Sequence, residues 1–358
     1  MKATLLLANG DIYEGKSFGA EGTAFGEICF NTSMAGYQEI LTDPSYAEQV
    51  IVMTYPEIGN YGINDYDFES DRVHAKGFIV KNYCEVESHY RSTQKLSNYL
   101  KNNGVIAISG VDTRTLTTTI RDIGAVPCVV TTKEITDEIR EKLKTWEMNK
   151  DVAVKCSTEF KYQTNGSGVK IAFVDLGLKR SILKYLVNMD CDITIFPADT
   201  SADDILAINP DAVLLSNGPG NPEDAVGAIE TAKKLIGKVP VYGICLGYQI
   251  LSIVLGAKTY KLKYGHRGGN HPVIDVRTNK VILTSQNHGY AVDEKSLPKT
   301  VIATHKNLND DTLEGFICPS KNIAAVQFHP EASPGPCDAA EILYNWIKEI
   351  EDKKCQRI

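Results

Sequence analysis

Between Lys170 and Gly256 the chain alternates short apolar runs with segments of helical spacing, and this rhythm restricts the fold more than any other feature. Lys170 to Asp175, Asp192 to Phe196, Asp211 to Leu215 and Val239 to Ile244 read as strands. Lys179 to Met189 has helical spacing in Ile182, Leu183, Leu186 and Val187. Ser201 to Ile208 starts on a hydroxyl suited to an N-cap, Glu223 to Ile236 is a third helix, and Leu246 to Leu255 is a fourth, stopped by Gly256. Strands that are apolar throughout are covered on both faces, so the second half is an α/β domain: a doubly wound parallel sheet, a flavodoxin-like three-layer arrangement. Functional residues of such sheets gather at the C-terminal ends of the strands.

The first half has a different texture. Thr4 to Ala8, Asn9-Gly10 and Asp11 to Glu14 form a hairpin signal. Short strand-like runs follow, such as Gly77 to Val80 and Val126 to Val130, with Ser92 to Asn102 the clearest helical pattern and Thr136 to Met148 a charged segment that closes the half. This is a smaller, mainly β, α+β domain. The stretch Tyr162 to Gly168 is polar and rich in small residues. The domains expected are therefore 1–150 and 169–358, with 151–168 as linker. A chain of 358 residues is long enough for both.

Composition narrows the function classes. With 38 Lys+Arg against 45 Asp+Glu the net charge is −7, which argues against a nucleic-acid partner. No apolar run reaches the roughly 18 to 20 residues of a membrane helix. The opening Met1 to Ala8 is too short for a signal peptide and has no small-residue cleavage site. Nine cysteines without a C-x-x-C pair suggest reduced thiols in the cytoplasm rather than a disulfide or zinc framework. Gly10-Asp11-Ile12-Tyr13-Glu14-Gly15-Lys16-Ser17 matches a nucleotide-loop pattern, but three glycines in the next nine residues cannot supply the helix such a loop needs.

The chemistry concentrates at Gly243-Ile244-Cys245-Leu246-Gly247-Tyr248-Gln249. A strand runs directly into a helix with Cys245 at the junction, the logic of a nucleophile elbow. The helix N-terminus favours a thiolate and offers N–H groups to an oxyanion. The other cysteines read as structural. Downstream, Ile323 to Phe328 leads into His329-Pro330-Glu331. Two residues apart in extended chain, His329 and Glu331 can point the same way, so the carboxylate can orient the imidazole as base. His266, His271, His288 and His305 lack such a partner and read as structural or supporting.

With these motifs, the sequence resembles the class I (triad) glutamine amidotransferases. Asn217-Gly218-Pro219-Gly220 resembles that class's oxyanion loop. The first half resembles the glutamine-hydrolysing small chain of carbamoyl-phosphate synthetases, through Phe30 to Tyr46, Thr54-Tyr55-Pro56 with Gly59-Asn60, and Gly110 to Arg114; Gly265 to Pro272 and Ser285 to Tyr290 add to the match. The resemblance implies a triad of Cys245, His329 and Glu331. It implies that Ser45, Gly218, Gly220, Leu246, Gln249, Asn287, Gly289 and Tyr290 hold L-glutamine or its oxyanion, with Ser45 drawing the site toward the domain interface. It further implies ammonia delivery to a large-chain partner, in a heterodimer or higher oligomer, which makes carbamoyl phosphate from bicarbonate and two ATP for arginine and pyrimidine synthesis. No cofactor or metal is expected in this chain; ATP and Mg²⁺ belong to the partner. Tyr248, Tyr290 and Cys337 depart from residues common in the family. The alternatives are a class I glutaminase serving another synthase, such as GMP or anthranilate synthesis, and a catalytically silent regulatory subunit.

Overall fold

The computed structural model describes residues 1–355 and divides into two compact units. The first comprises Met1–Asn149 together with Lys263–Arg267; the second comprises Lys150–Leu262 and the chain from Gly268 onward.

The first unit is built on a closed seven-stranded barrel. Around it run Lys2–Leu7, Ile12–Ser17, Ile106–Ser109, Gly77–Ile79, Gln49–Met53, Thr23–Asn31 and Pro127–Thr131. Closure leaves no exposed sheet edge. The expected hairpin is present: Leu6 pairs with Ile12, and Gly10 turns the chain at φ 98°. Alternate residues separate into two cores. Leu5, Leu7, Ile28, Val50, Ile106 and Val130 cluster with Leu116 and Ile120. Cys29, Ile51, Phe78 and Ala107 cluster instead with Tyr37, Ile40, Leu41 and Leu100.

Leu116 and Ile120 belong to the helix Thr113–Ile123, which the reading of the first half passes over because five threonines weaken its propensity. Burial of one face and a cap override that: Asp112 accepts a hydrogen bond from the Thr115 N–H at 3.1 Å. The nucleotide-loop pattern folds as hairpin and strand. A Cβ on Gly15 would lie 2.3 Å from the Ser109 carbonyl oxygen.

The second unit holds a ten-stranded sheet. Five neighbouring strands, Asp192–Pro197, Lys170–Asp175, Ala212–Leu215, Val241–Ile244 and Ile323–Val326, run parallel. Helices cover both faces. Val174, Leu215 and Val241 pack with the helices Val226–Leu235 and Leu246–Val254. Ile171, Phe173, Tyr242 and Ile244 pack with Arg180–Asn188 and Ala340–Cys355. Ser201 caps the helix Ala202–Leu206 as expected, accepting from the Asp204 N–H at 3.2 Å.

Two features differ from the sequence reading. The sheet continues beyond Ile323–Val326 in antiparallel strands: Leu313–Cys318, Ile302–Asn307, Thr259–Asp275 and Lys280–Val292. The last two are long and partly exposed, so they lack the unbroken apolar runs that announce a buried strand. The segment 151–168, expected as linker, is also structured. It carries the helix Val152–Cys156 and the strand Tyr162–Thr164, which pairs antiparallel with Asp192–Pro197. An exposed edge strand is polar for the same reason a linker is: both faces meet water. Among the described residues, no helix is long and apolar enough to cross a membrane.

Candidate active site

The site is assembled where the central parallel strands of the second unit end. Val241–Ile244 passes into the helix Leu246–Val254 through one residue, Cys245, held at φ 53°, ψ −101°. A non-glycine residue with positive φ costs on the order of 1–3 kcal/mol, so its surroundings must enforce it. They do so on both sides. The Cys245 N–H donates to the Val326 carbonyl at 2.9 Å, and its carbonyl accepts the first helical bond, from the Gln249 N–H, at 3.1 Å.

The flanking glycines are steric requirements. A Cβ on Gly243 would lie 2.6 Å from the carbonyl carbon of Gly247, and one on Gly247 would lie 2.3 Å from the Leu215 carbonyl oxygen. The Gly247 N–H donates to the Ser216 carbonyl at 3.0 Å, tying the helix to the neighbouring strand's exit. Leu246, at the first helical position, has no acceptor within the helix for its N–H.

Cys245 is buried, with Sγ 3.7 Å from the Asn287 carbonyl oxygen. His329 leaves the end of Ile323–Val326 and is fixed by its N–H, which donates to the Ser285 carbonyl at 2.9 Å. Its Nδ1 lies 2.7 Å from Glu331 Oε1, and both side chains are fully enclosed. His329 Nε2 makes no hydrogen bond of full geometry, yet the Cys245 thiol acts on the ring and raises its proton affinity. Such nucleophile–base contacts are often long until substrate tightens them.

Burial alone would push the His329 pKa down. The Glu331 carboxylate overrides that and leaves it well above its ordinary value, against an opposing Lys179. Burial would raise the Glu331 carboxyl, but Lys179 and then His329 hold it below the usual carboxylate range.

Lys179 is the residue the sequence reading missed. Its Nζ donates to Glu331 Oε1 at 3.0 Å and to the Ala332 carbonyl at 2.7 Å, with the side chain 2% exposed. It precedes a helix and follows the strand Lys170–Asp175, where a lysine beside an arginine reads as surface charge. Its position at the C-terminal edge of the sheet was the available signal.

The glycine loop after Ala212–Leu215 lies beside the elbow. A Cβ on Gly218 would come within 2.2 Å of the Leu176 carbonyl oxygen and 2.8 Å of a Leu246 methyl, and Gly220 adopts φ 93°. The Lys179 N–H donates to Asn217 Oδ1 at 3.1 Å, so the loop and the charged network share an anchor. On the helix, Gln249 Nε2 donates to the Tyr290 carbonyl at 2.9 Å and to Gln327 Oε1 at 3.0 Å. That holds the strand segment Asn287-His288-Gly289-Tyr290 against the elbow. His288 braces the same turn, with Nδ1 2.7 Å from the Tyr290 carbonyl and Nε2 3.0 Å from Gln286 Oε1.

The second unit thus brings Cys245, His329, Glu331, Leu246, Gly218, Gln249, Asn287 and Tyr290 together, with Gly220 and Gly289 on the same two segments. Ser45 lies in the first unit, buried in the short turn Pro44–Tyr46, where its N–H donates to the Asp43 carboxylate at 2.9 Å. Tyr248 points into the core instead of the site: its Oη donates to the Leu313 carbonyl at 3.0 Å and its ring packs on Phe316. Cys337 is exposed.

Comparison with known proteins agrees with this architecture. The family described as "Carbamoyl-phosphate synthase small chain, CPSase domain" matches residues 5–130, and "Glutamine amidotransferase class-I" matches residues 172–350. A carbamoyl phosphate synthase small chain of Clostridium acetobutylicum is 50% identical over 97% of this chain and 99% of its own length. One from Caldanaerobacter subterraneus is 48% identical over 96% of this chain and 95% of its own. The pyrimidine-specific small chain of Bacillus subtilis is 45% identical over 98% of this chain and 96% of its own. The chain belongs to the carbamoyl-phosphate synthase small chain family, and its second half is a class I glutamine amidotransferase domain.

Proposed function

We propose that this chain hydrolyses L-glutamine to glutamate and ammonia at Cys245 and passes the ammonia to a large-chain partner for carbamoyl phosphate synthesis. The observation that carries the reading is the enclosed array of Cys245 on its strained elbow with His329 and Glu331, whose Nδ1–Oε1 distance is 2.7 Å.

Sγ attacks the side-chain amide carbon of glutamine while its proton rests on His329, which the Glu331 carboxylate keeps as imidazolium. The carbonyl electron pair moves onto oxygen, and the Leu246 N–H with the Gly218–Gly220 loop receives it. One such donor contributes roughly 3 kcal/mol to the transition state. Imidazolium then protonates the amide nitrogen, the C–N bond breaks, and ammonia leaves. His329 next takes a proton from water, whose oxygen attacks the thioester; the C–S bond breaks and glutamate and the thiol are restored. Glu331 stabilises the imidazolium in both halves, and Lys179 fixes Glu331. Gln249, Asn287, Gly289 and Tyr290 form the wall assigned to the glutamine head group. Bicarbonate, ATP and Mg²⁺ are assigned to the partner, and the nine cysteines, all free of disulfides, suit the reducing cytoplasm.

The test uses the chain reconstituted with its large-chain partner. Cys245→Ser should abolish glutamine-dependent synthesis while ammonia-dependent synthesis survives. Equal loss of both, with the complex still assembled, would refute the division of labour. A silent regulatory subunit is disfavoured because it would not need a nucleophile held at positive φ.

A further inference from the structure

Gln249 and Gln327 form an amide pair inside the second unit, one on the helix Leu246–Val254 and the other just past the strand Ile323–Val326. Gln327 is fully buried and Gln249 is 3% exposed. The nitrogen and oxygen of an amide are told apart by what they face. The Tyr290 atom 2.9 Å from Gln249 is a backbone carbonyl oxygen, which can only accept, so Gln249 turns Nε2 toward it. That same Nε2 lies 3.0 Å from the Gln327 amide, which must therefore present Oε1. Both N–H bonds of the Gln249 side chain are then in use.

The two ends left over differ. Gln249 Oε1 accepts no hydrogen bond among the described residues and is not sealed from solvent. Gln327 Nε2 is sealed and, among the described residues, has no partner. A buried amide group left unbonded is uncommon and destabilising, so an orientation that keeps one is enforced by a stronger demand. Turning the Gln327 amide over would set its nitrogen against the Gln249 nitrogen, donor facing donor. The backbone is pinned as well: the Gln327 N–H donates to the Glu314 carbonyl at 2.9 Å.

We propose that Gln327 is a positioning residue that sets substrate specificity: it locks the Gln249 amide with only its oxygen toward the substrate, so that the site selects the α-ammonium group of L-glutamine. This rests on the glutaminase reading above. The substrate head group carries one cation and one anion. An amide whose two N–H groups are committed offers only lone pairs, which accept a charge-assisted bond from the ammonium and repel the carboxylate. With an apolar side chain at position 327, one Gln249 N–H is left without an acceptor, and the amide regains a reason to turn that N–H toward the substrate.

The test uses the full chain with its large-chain partner and reads ammonia release from L-glutamine and from glutaramate, which lacks only the α-amino group. Gln327→Met removes the acceptor at nearly the same volume. It should raise KM for L-glutamine roughly tenfold with kcat within about twofold, and leave kcat/KM for glutaramate within about twofold, so the preference for L-glutamine falls roughly tenfold. Gln327→Leu is a second acceptor-free variant with the same expectation. Gln327→Glu keeps an acceptor oxygen and replaces only the nitrogen that bonds to nothing, so its preference should stay within about threefold of wild type. Equal losses on both substrates, an unchanged preference in Gln327→Met and Gln327→Leu, or a Gln327→Glu as impaired as they are would overturn this inference alone. A wild-type complex that releases no ammonia from L-glutamine would overturn it together with the reading it rests on.

Discussion

Replacing Gly247 by alanine gives the most direct measure of how tightly the nucleophile is held. The added Cβ would stand 2.3 Å from the Leu215 carbonyl oxygen and 2.7 Å from the Leu215 Cβ, where ordinary contact begins at 3.4 Å. Both obstacles belong to the neighbouring strand's backbone and first side-chain atom, so rotamer changes cannot relieve them. The elbow and Leu215 must separate by about 1.1 Å, the difference between those two distances. Overpacking of this kind costs about 1–3 kcal/mol of stability. Its effect on catalysis is larger, because a displacement of about 1 Å at a reacting atom costs roughly 100-fold in rate.

The expected outcome is therefore a kcat for glutamine hydrolysis near a hundredth of wild type with a modest fall in the denaturation midpoint. Gly227→Ala is the control. That glycine sits within the helix Val226–Leu235 and its Cβ would have nothing within 4 Å, so stability should rise by roughly 0.5–1 kcal/mol and activity should hold. Gly247→Ala with more than a third of wild-type kcat would refute the argument that backbone crowding positions Cys245.

The charged network makes further claims. Lys179→Met and Glu331→Gln should each cost about 3–5 kcal/mol of stability by leaving a buried charge without its partner, while the double variant should cost less than their sum in denaturant titrations. Because the folded Glu331 pKa lies below its ordinary 4.5, its stabilisation is present above that pH and is lost as pH falls toward the folded value. The stability gap between wild type and Glu331→Gln should therefore narrow below about pH 4.5 in acid titrations. Glu331→Gln should lower kcat less than His329→Asn, as an orienting group matters less than the base itself; equal damage would give Glu331 a direct part in proton transfer. Native-state alkylation should label exposed Cys337 and Cys355 first and reach Cys29, whose thiol burial pushes up to about 11, only after unfolding, as read by mass spectrometry of the labelled peptides.

Residues that act through local geometry were legible in the linear chain. The unbroken apolar runs Phe173-Val174 and Val213-Leu214-Leu215 could only be strands covered on both faces, so the parallel sheet followed. Gly243 and Gly247 around Cys245 spelled out a strand-to-helix elbow, and His329-Pro330-Glu331 at a strand end spelled out a base with its orienter, because spacings of two residues are set by covalent geometry. The antiparallel half of the sheet was not legible. Thr259–Asp275 and Lys280–Val292 neighbour each other at the edge of the sheet, and their half-exposed pattern carries no single period. The edge strand Tyr162–Thr164 had the composition of a linker for a related reason: water lies on both its faces.

Lys179 shows the same division at the site itself. Nothing within a few residues of it distinguishes a surface lysine from one whose ammonium lies 3.0 Å from a carboxylate 152 positions away. The distinction is a matter of desolvation, which exists only after two strand ends and a helix start have closed around the charge. Local chemistry therefore named the nucleophile, the base and the orienter. Tertiary packing alone decided which cation would be buried with them, because the free energy of a buried charge depends on every group that replaces its water.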